Sequence, residues 1–255
     1  MRLLRRAFTR VPEDRDLLRG RRQGALAFVH IPKTAGTWFS RFLMQHFTEA
    51  EIAPTHHIDP ESMDFGDAPK RFFCGHFRFL AIETKRPLRF VTFLRDPFKR
   101  TESYYRSWRE HGAPLIAGDN RAVAEAVRWT REVTYEQFVC SDNPIIEGSI
   151  RNVQTAYLTS IPNHNDPDFL NSACENLEKR FFFLGLQEFS AESLRLFSFQ
   201  TGTATQPKFP TLNTTKPCDI SLSAAGRRRL TELLRYDIEL YEFGKRIFER
   251  RLAAV

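Results

Sequence analysis

The chain has 255 residues and a formal net charge of +7, long enough to bury one sizeable core and cationic enough to favour anionic partners. Its four cysteines, Cys74, Cys140, Cys174 and Cys218, form no CxxC pair, which argues against a zinc site and for free thiols in a reducing compartment. Residues 1–24 are rich in arginine but hold no long apolar run, so they read as a basic, flexible leader rather than a signal peptide or membrane span, ahead of a single domain at 25–255.

In chain order, short apolar runs at 26–31, 72–74, 90–94 and 181–184 read as buried strands, each followed by polar or turn residues. Helical patterns lie between and after them, at 38–47, 97–108, 120–130, 135–139 and 190–199. The stretch 227–252 places Leu230, Leu233, Leu234, Ile238, Tyr241 and Phe248 near one face, as expected of one closing helix packed on the core. Strands alternating with helices predict an α/β fold: a central, mostly parallel sheet flanked by helices in three P-loop-like layers. In such folds ligands sit outside the carboxyl ends of the strands.

After the first strand comes "HIPKTAGTW". Gly36 reads as a tight-turn glycine, and the following helix N-terminus adds free N–H donors and partial positive charge. Lys33 and the hydroxyls of Thr34 and Thr37 complete a cradle for a phosphate-like group. It is not a Walker A loop, because Lys33 precedes Gly36 instead of following a second glycine.

After the 90–94 run comes "RDPFKRTESYY". Arg95 stands at the strand end, and Asp96-Pro97 is a strong N-cap and first-turn pair. Arg100, Ser103 and Tyr104 recur at helical spacing on the next helix. Arg95 suits bidentate phosphate binding, with Ser103 supplying a hydroxyl to the same group.

Together these stretches resemble the 3′-phosphoadenosine 5′-phosphosulfate-dependent sulfotransferases, in particular the carbohydrate branch that includes the uronyl and heparan 2-O-sulfotransferases. "HIPKTAGTW" resembles that family's 5′-phosphosulfate loop and "RDPFKRTESYY" its 3′-phosphate motif. "NVQTAYL", "FLGLQEFSAESLRLF", "LNTTKP" and "DIELYEFGKRIFE" resemble later family blocks in order, so the likeness runs from Phe28 to Phe248.

The resemblance implies metal-independent, in-line sulfuryl transfer from the phosphosulfate donor to a hydroxyl of a carbohydrate or glycoconjugate. Lys33 would stabilise the leaving phosphate, with Thr34, Ala35, Gly36, Thr37 and Trp38 forming the rest of the 5′ loop. Arg95 and Ser103 would hold the 3′-phosphate, and Asn213 and Lys216 of "LNTTKP" would close over the nucleotide. His76, in "RFFCGHFRFL", matches a Gly-His pair that carries the general base in the 2-O enzymes. His30 reads as structural, and His56 and His57 read as surface residues of a loop that could touch an acceptor.

Two rivals remain at the level of sequence: a P-loop kinase or NTPase, and a basic protein binding nucleic acid or an anionic surface. The first lacks its glycine-framed lysine and a strand-end acid for magnesium; the second lacks any recognised nucleic-acid motif. Peripheral contact of the basic arm with anionic lipid stays open, and no specific nucleic-acid partner is expected. The family's membrane-bound members work in the Golgi. Lacking an anchor, this chain is expected in the cytoplasm, in a bacterial setting.

Overall fold

The computed structural model describes residues 11–18, 24–53, 70–82, 86–203 and 218–255. The strands β1 (Ala25–Val29), β2 (Phe72–Gly75), β3 (Leu88–Leu94) and β4 (Phe181–Leu186) form one parallel sheet in the order β2-β1-β3-β4. Each strand end lies within two residues of the sequence expectation. β1 and β4 are buried along their whole length, as continuous apolar runs in a two-sided parallel sheet must be.

The helices are α1 (Gly36–Met44), α2 (Pro97–His111), α3 (Ala113–Ile116), α4 (Arg121–Glu132), α5 (Tyr135–Val139) and α6 (Pro144–Ile150), of which α4, α5 and α6 pack with the distal part of α2 into a second apolar cluster that holds no strand residue. They continue as α7 (Val153–Leu158), α8 (Phe169–Lys179), α9 (Ser190–Thr201), α10 (Ala224–Leu233) and α11 (Arg235–Leu252). Phe39 of α1 sits fully buried at the centre, 4.8 Å ring to ring from Phe93, 5.2 Å from Phe197, 5.3 Å from Phe28 and 5.6 Å from Phe183. Several of these contacts are edge-to-face, the geometry aromatic rings prefer. Phe39 therefore fixes α1, and with it the loop between β1 and α1, against β3 and β4.

The expected closing helix is two helices. The chain breaks at Leu234 (φ −100°, ψ 5°), and Asn152, 82 residues earlier, caps the second segment: its Oδ1 accepts from the Tyr236 N–H at 2.9 Å. The Asn152 N–H in turn donates to the Leu233 carbonyl at 3.1 Å. A non-local side chain thus interrupts a helix that its local pattern would continue.

Part of the presumed leader packs on the domain. Val11, Leu17 and Leu18 are buried, the Asp14 N–H donates to Gln200 O at 2.7 Å, and Arg89 pairs with Asp14 at 3.2 Å. The four cysteines are free thiols, and Cys140 is exposed. Among the described residues no helix is long and apolar enough to cross a membrane.

Candidate active site

The carboxyl ends of β1, β2 and β3 bring three predicted residues to one place. Lys33 lies in the β1–α1 loop, His76 follows β2, and Arg95 follows β3. Arg95 Nη1 donates to the Lys33 carbonyl at 3.1 Å, and His76 Nδ1 lies 2.7 Å from the His30 carbonyl. Both side chains are thus tied to the backbone of the same loop.

The loop is strained. Lys33 and Ala35 hold positive φ, 71° and 74°, at a cost of about 1–2 kcal/mol for each non-glycine residue. Successive turns of this kind aim backbone N–H groups into a concavity that suits an anion. The N-terminus of α1 follows directly, with neither a side-chain cap nor an acidic residue in its first turn to compete for those donors.

Gly36 is not the turn glycine that the sequence implied; the left-handed positions are its neighbours Lys33 and Ala35. Its constraint is space, since a Cβ at this position would lie 1.9 Å from His30 Cδ2 and 2.1 Å from His30 Nε2. The His30 imidazole lies over Gly36, stacks on Phe28 at 5.3 Å and meets the His76 ring at 4.4 Å.

The remaining loop residues divide by exposure. Thr34 is fully buried and its hydroxyl donates to Ile31 O at 2.9 Å, so it braces the loop. Thr37 is exposed on the first turn of α1. The Trp38 ring is buried in the core, stacked 6.0 Å from Phe42, which leaves its backbone as the part facing the loop. Ser103 is half-buried on α2, about 9 Å along the axis from Pro97. Asn213, Lys216, His56 and His57 lie outside the described residues.

Electrostatics are set by burial. Desolvation first, and the Arg95 charge second, hold the Lys33 ammonium below the ordinary lysine range. Burial also lowers Arg95, against the opposing pull of Glu188. Arg95 Nε is buried with no hydrogen-bond partner among the described residues. Two crowded, partly desolvated cations with unused donors form a site that an anion would relax.

Sequence reasoning missed the groups that hold these residues. The Asp96 side chain caps α2 as expected, accepting from Lys99 N at 2.9 Å, but its own N–H donates to Glu188 Oε1 at 3.1 Å. Tyr241 donates to the other Glu188 oxygen at 2.9 Å. Gln154 on α7 clamps the Arg95 peptide, and the Tyr157 hydroxyl lies 3.4 Å from His76 O. All sit in the "NVQTAYL", "FLGLQEF" and "DIELYEFGK" stretches, whose order was the only earlier signal.

A cleft of about 480 Å³, lined by Arg78, Tyr104, Glu147, Arg151, Tyr157 and His164, adjoins the His76 backbone through Tyr157. Residues 112–120 lie at the other end of α2, ~20 Å along its axis from Pro97.

A sequence model of the sulfotransferase family matches residues 18–244. Heparan-sulfate 6-O-sulfotransferase 3-B of Danio rerio is 25% identical over 93% of this chain and 68% of its own length. Heparan-sulfate 6-O-sulfotransferase 1 of Homo sapiens is 25% identical over 89% of this chain and 66% of its own. A shorter match, 33% identical over 32% of this chain and 17% of the relative, is to heparan-sulfate 6-O-sulfotransferase 2 of Danio rerio. The chain spans about two thirds of the length of the first and second of these relatives. Their names specify the 6-O position, whereas the motif resemblance was to 2-O enzymes.

Proposed function

The chain belongs to the sulfotransferase family, and from that premise we propose that it transfers a sulfuryl group from 3′-phosphoadenosine 5′-phosphosulfate to a hydroxyl of a carbohydrate acceptor. The observation that carries this reading is the Arg95 guanidinium lying 3.1 Å from the backbone carbonyl of Lys33, beside an uncapped helix N-terminus. One ribose bearing phosphates at its 3′ and 5′ positions requires two anion grips in a single cleft.

In the proposed step the acceptor oxygen bonds to sulfur while the bond from sulfur to the 5′-phosphate oxygen breaks. Negative charge grows on that leaving oxygen. The Lys33 ammonium and the backbone N–H groups of the β1–α1 loop are the donors that stabilise it, already oriented and partly dry. Arg95 holds the 3′-phosphate, with Ser103 as a second donor. Nucleotides that lack this phosphate forgo that contact, so remote binding both selects the donor and positions the sulfur.

The acceptor proton passes to His76. A carbonyl oxygen only accepts, so the 2.7 Å contact with His30 O puts the proton on Nδ1 and makes Nε2 the basic nitrogen of the neutral ring. The same carbonyl stabilises the imidazolium once the proton has moved. The acceptor enters along the Tyr157 cleft, where the Arg78 guanidinium favours a sugar bearing negative charge, Arg151 being paired with Glu147 at 2.6 Å.

The test is transfer of labelled sulfate from the phosphosulfate donor to a panel of glycans, with release of 3′-phosphoadenosine 5′-phosphate measured in parallel. Transfer to at least one glycan is the expected result. Absence of transfer together with thermal stabilisation by ATP-magnesium alone would overturn the reading in favour of a kinase.

A further inference from the structure

The Arg95 peptide is held from both ends by one side chain. Its N–H donates to Gln154 Oε1 at 3.0 Å, and Gln154 Nε2 donates to its carbonyl at 2.8 Å. A carboxamide offers an acceptor and a donor on one rigid plane, as this clamp requires; a carboxylate offers acceptors only. Gln154 is fully buried, and its backbone N–H donates to Asp237 Oδ2 at 3.1 Å. Asp237, also fully buried, accepts from Thr155 N and Thr155 Oγ1 at 2.8 Å each, which anchors α7 to α11. With Asp96 N committed to Glu188, the backbone at Arg95–Asp96 is fixed by side chains from two other segments.

We infer that Gln154 is the positioning residue of the donor site: its amide sets the backbone of Arg95 and so decides how strongly the protein prefers a 3′-phosphorylated nucleotide. This rests on the reading of Arg95 as the 3′-phosphate grip. Gln154 touches no substrate and acts through the guanidinium, which swings with the backbone that carries it. With the clamp in place, Nη1 reaches Lys33 O and the buried Nε keeps its donor for an anion. Without it, the strand end relaxes and the donor array loses its alignment.

The experiment is calorimetric titration of the full chain with 3′-phosphoadenosine 5′-phosphate and, separately, adenosine 5′-monophosphate. Gln154→Glu preserves the shape of the side chain and removes the donor to the Arg95 carbonyl; Gln154→Leu removes both contacts. Losing alignment of a charge-assisted contact should weaken the 3′-phosphorylated ligand about 10- to 100-fold while leaving the monophosphate within about twofold. In an Arg95→Ala background the Gln154 substitutions should change neither affinity further, because the grip they position is gone. A merely structural role predicts a lower unfolding midpoint with an unchanged affinity ratio, and that result overturns the inference. Should Gln154→Leu not fold, Gln154→Met, uncharged and of similar length, tests the ratio with both contacts removed. If the unsubstituted protein itself shows no preference for the 3′-phosphate, the Arg95 assignment fails first and this inference falls with it.

Discussion

Substituting Gly36 by alanine separates two reasons for a glycine in the β1–α1 loop. A Cβ here would stand 1.9 Å from His30 Cδ2 and 2.7 Å from His30 Cγ, so the imidazole must retreat by more than an ångström. The ring cannot do so without leaving Phe28, stacked at 5.3 Å, and the His76 ring at 4.4 Å. Overpacking of this kind costs about 1–3 kcal/mol, to which the lost stacking adds. The assay is denaturant unfolding of Gly36→Ala, His30→Ala and the double variant. Removing the imidazole opens the space, so Gly36→Ala should cost about 1–3 kcal/mol with His30 present and much less with alanine there. Transfer activity should fall further than stability in the single variant, because the His30 segment also orients His76. Equal cost in both backgrounds would refute the close-packing account and return Gly36 to the role of a turn residue.

Other outcomes are expected from the same site. Ala35→Gly should raise stability by up to ~1 kcal/mol, since glycine accepts the 74° φ that alanine holds under strain; an urea midpoint that falls would contradict this. Because burial and Arg95 lower the Lys33 pKa, its ammonium loses a proton as pH rises at a lower pH than ordinary lysine. The alkaline limb of kcat/KM should accordingly lie below the normal lysine range, and Lys33→Arg should lift it; coincident limbs would exclude Lys33. By linkage, the folded state binds this proton less tightly than the unfolded chain, so the contribution of Lys33 to stability grows as pH climbs between the two pKa values. Burial pushes the Cys74 thiol up to about 12, so a maleimide near neutral pH should label exposed Cys140 first and reach Cys74 only after unfolding.

The strands were legible because a sheet covered on both faces writes itself as unbroken apolar runs, and the α2 start because Asp96-Pro97 is a local signal. The same logic applies at Asn143-Pro144, where Asn143 caps α6 by accepting from Ile145 N at 2.9 Å, yet α6, α7 and α8 escaped the sequence reading. The break between α10 and α11 depends on Asn152, far away in sequence and in a left-handed conformation, φ 44°, that no local pattern announces. Lys33 and Arg95 were visible because strand-end cations are part of a motif. Gln154, Glu188 and Tyr157 were not, since each matters only through the backbone it grips on another segment.

In the proposed site the β1–α1 loop would do more than bind an anion. Its carbonyls hold the two other groups on which the proposed reaction depends, His30 O taking His76 Nδ1 and Lys33 O taking Arg95 Nη1. Only Ile31 and Pro32 separate those two residues; the chain holds its strain at Lys33 and places the fully buried Thr34 directly after it. An anion that organises the loop therefore organises the base and the nucleotide grip together. It follows that donor binding should order the acceptor side before any sugar arrives. Catalysis would then favour donor first, acceptor second: 3′-phosphoadenosine 5′-phosphate should inhibit competitively against the donor and noncompetitively against the acceptor. An acceptor affinity that is the same with and without saturating 3′-phosphoadenosine 5′-phosphate would instead show that the two halves of the site assemble independently, and that the shared backbone carries no coupling between them.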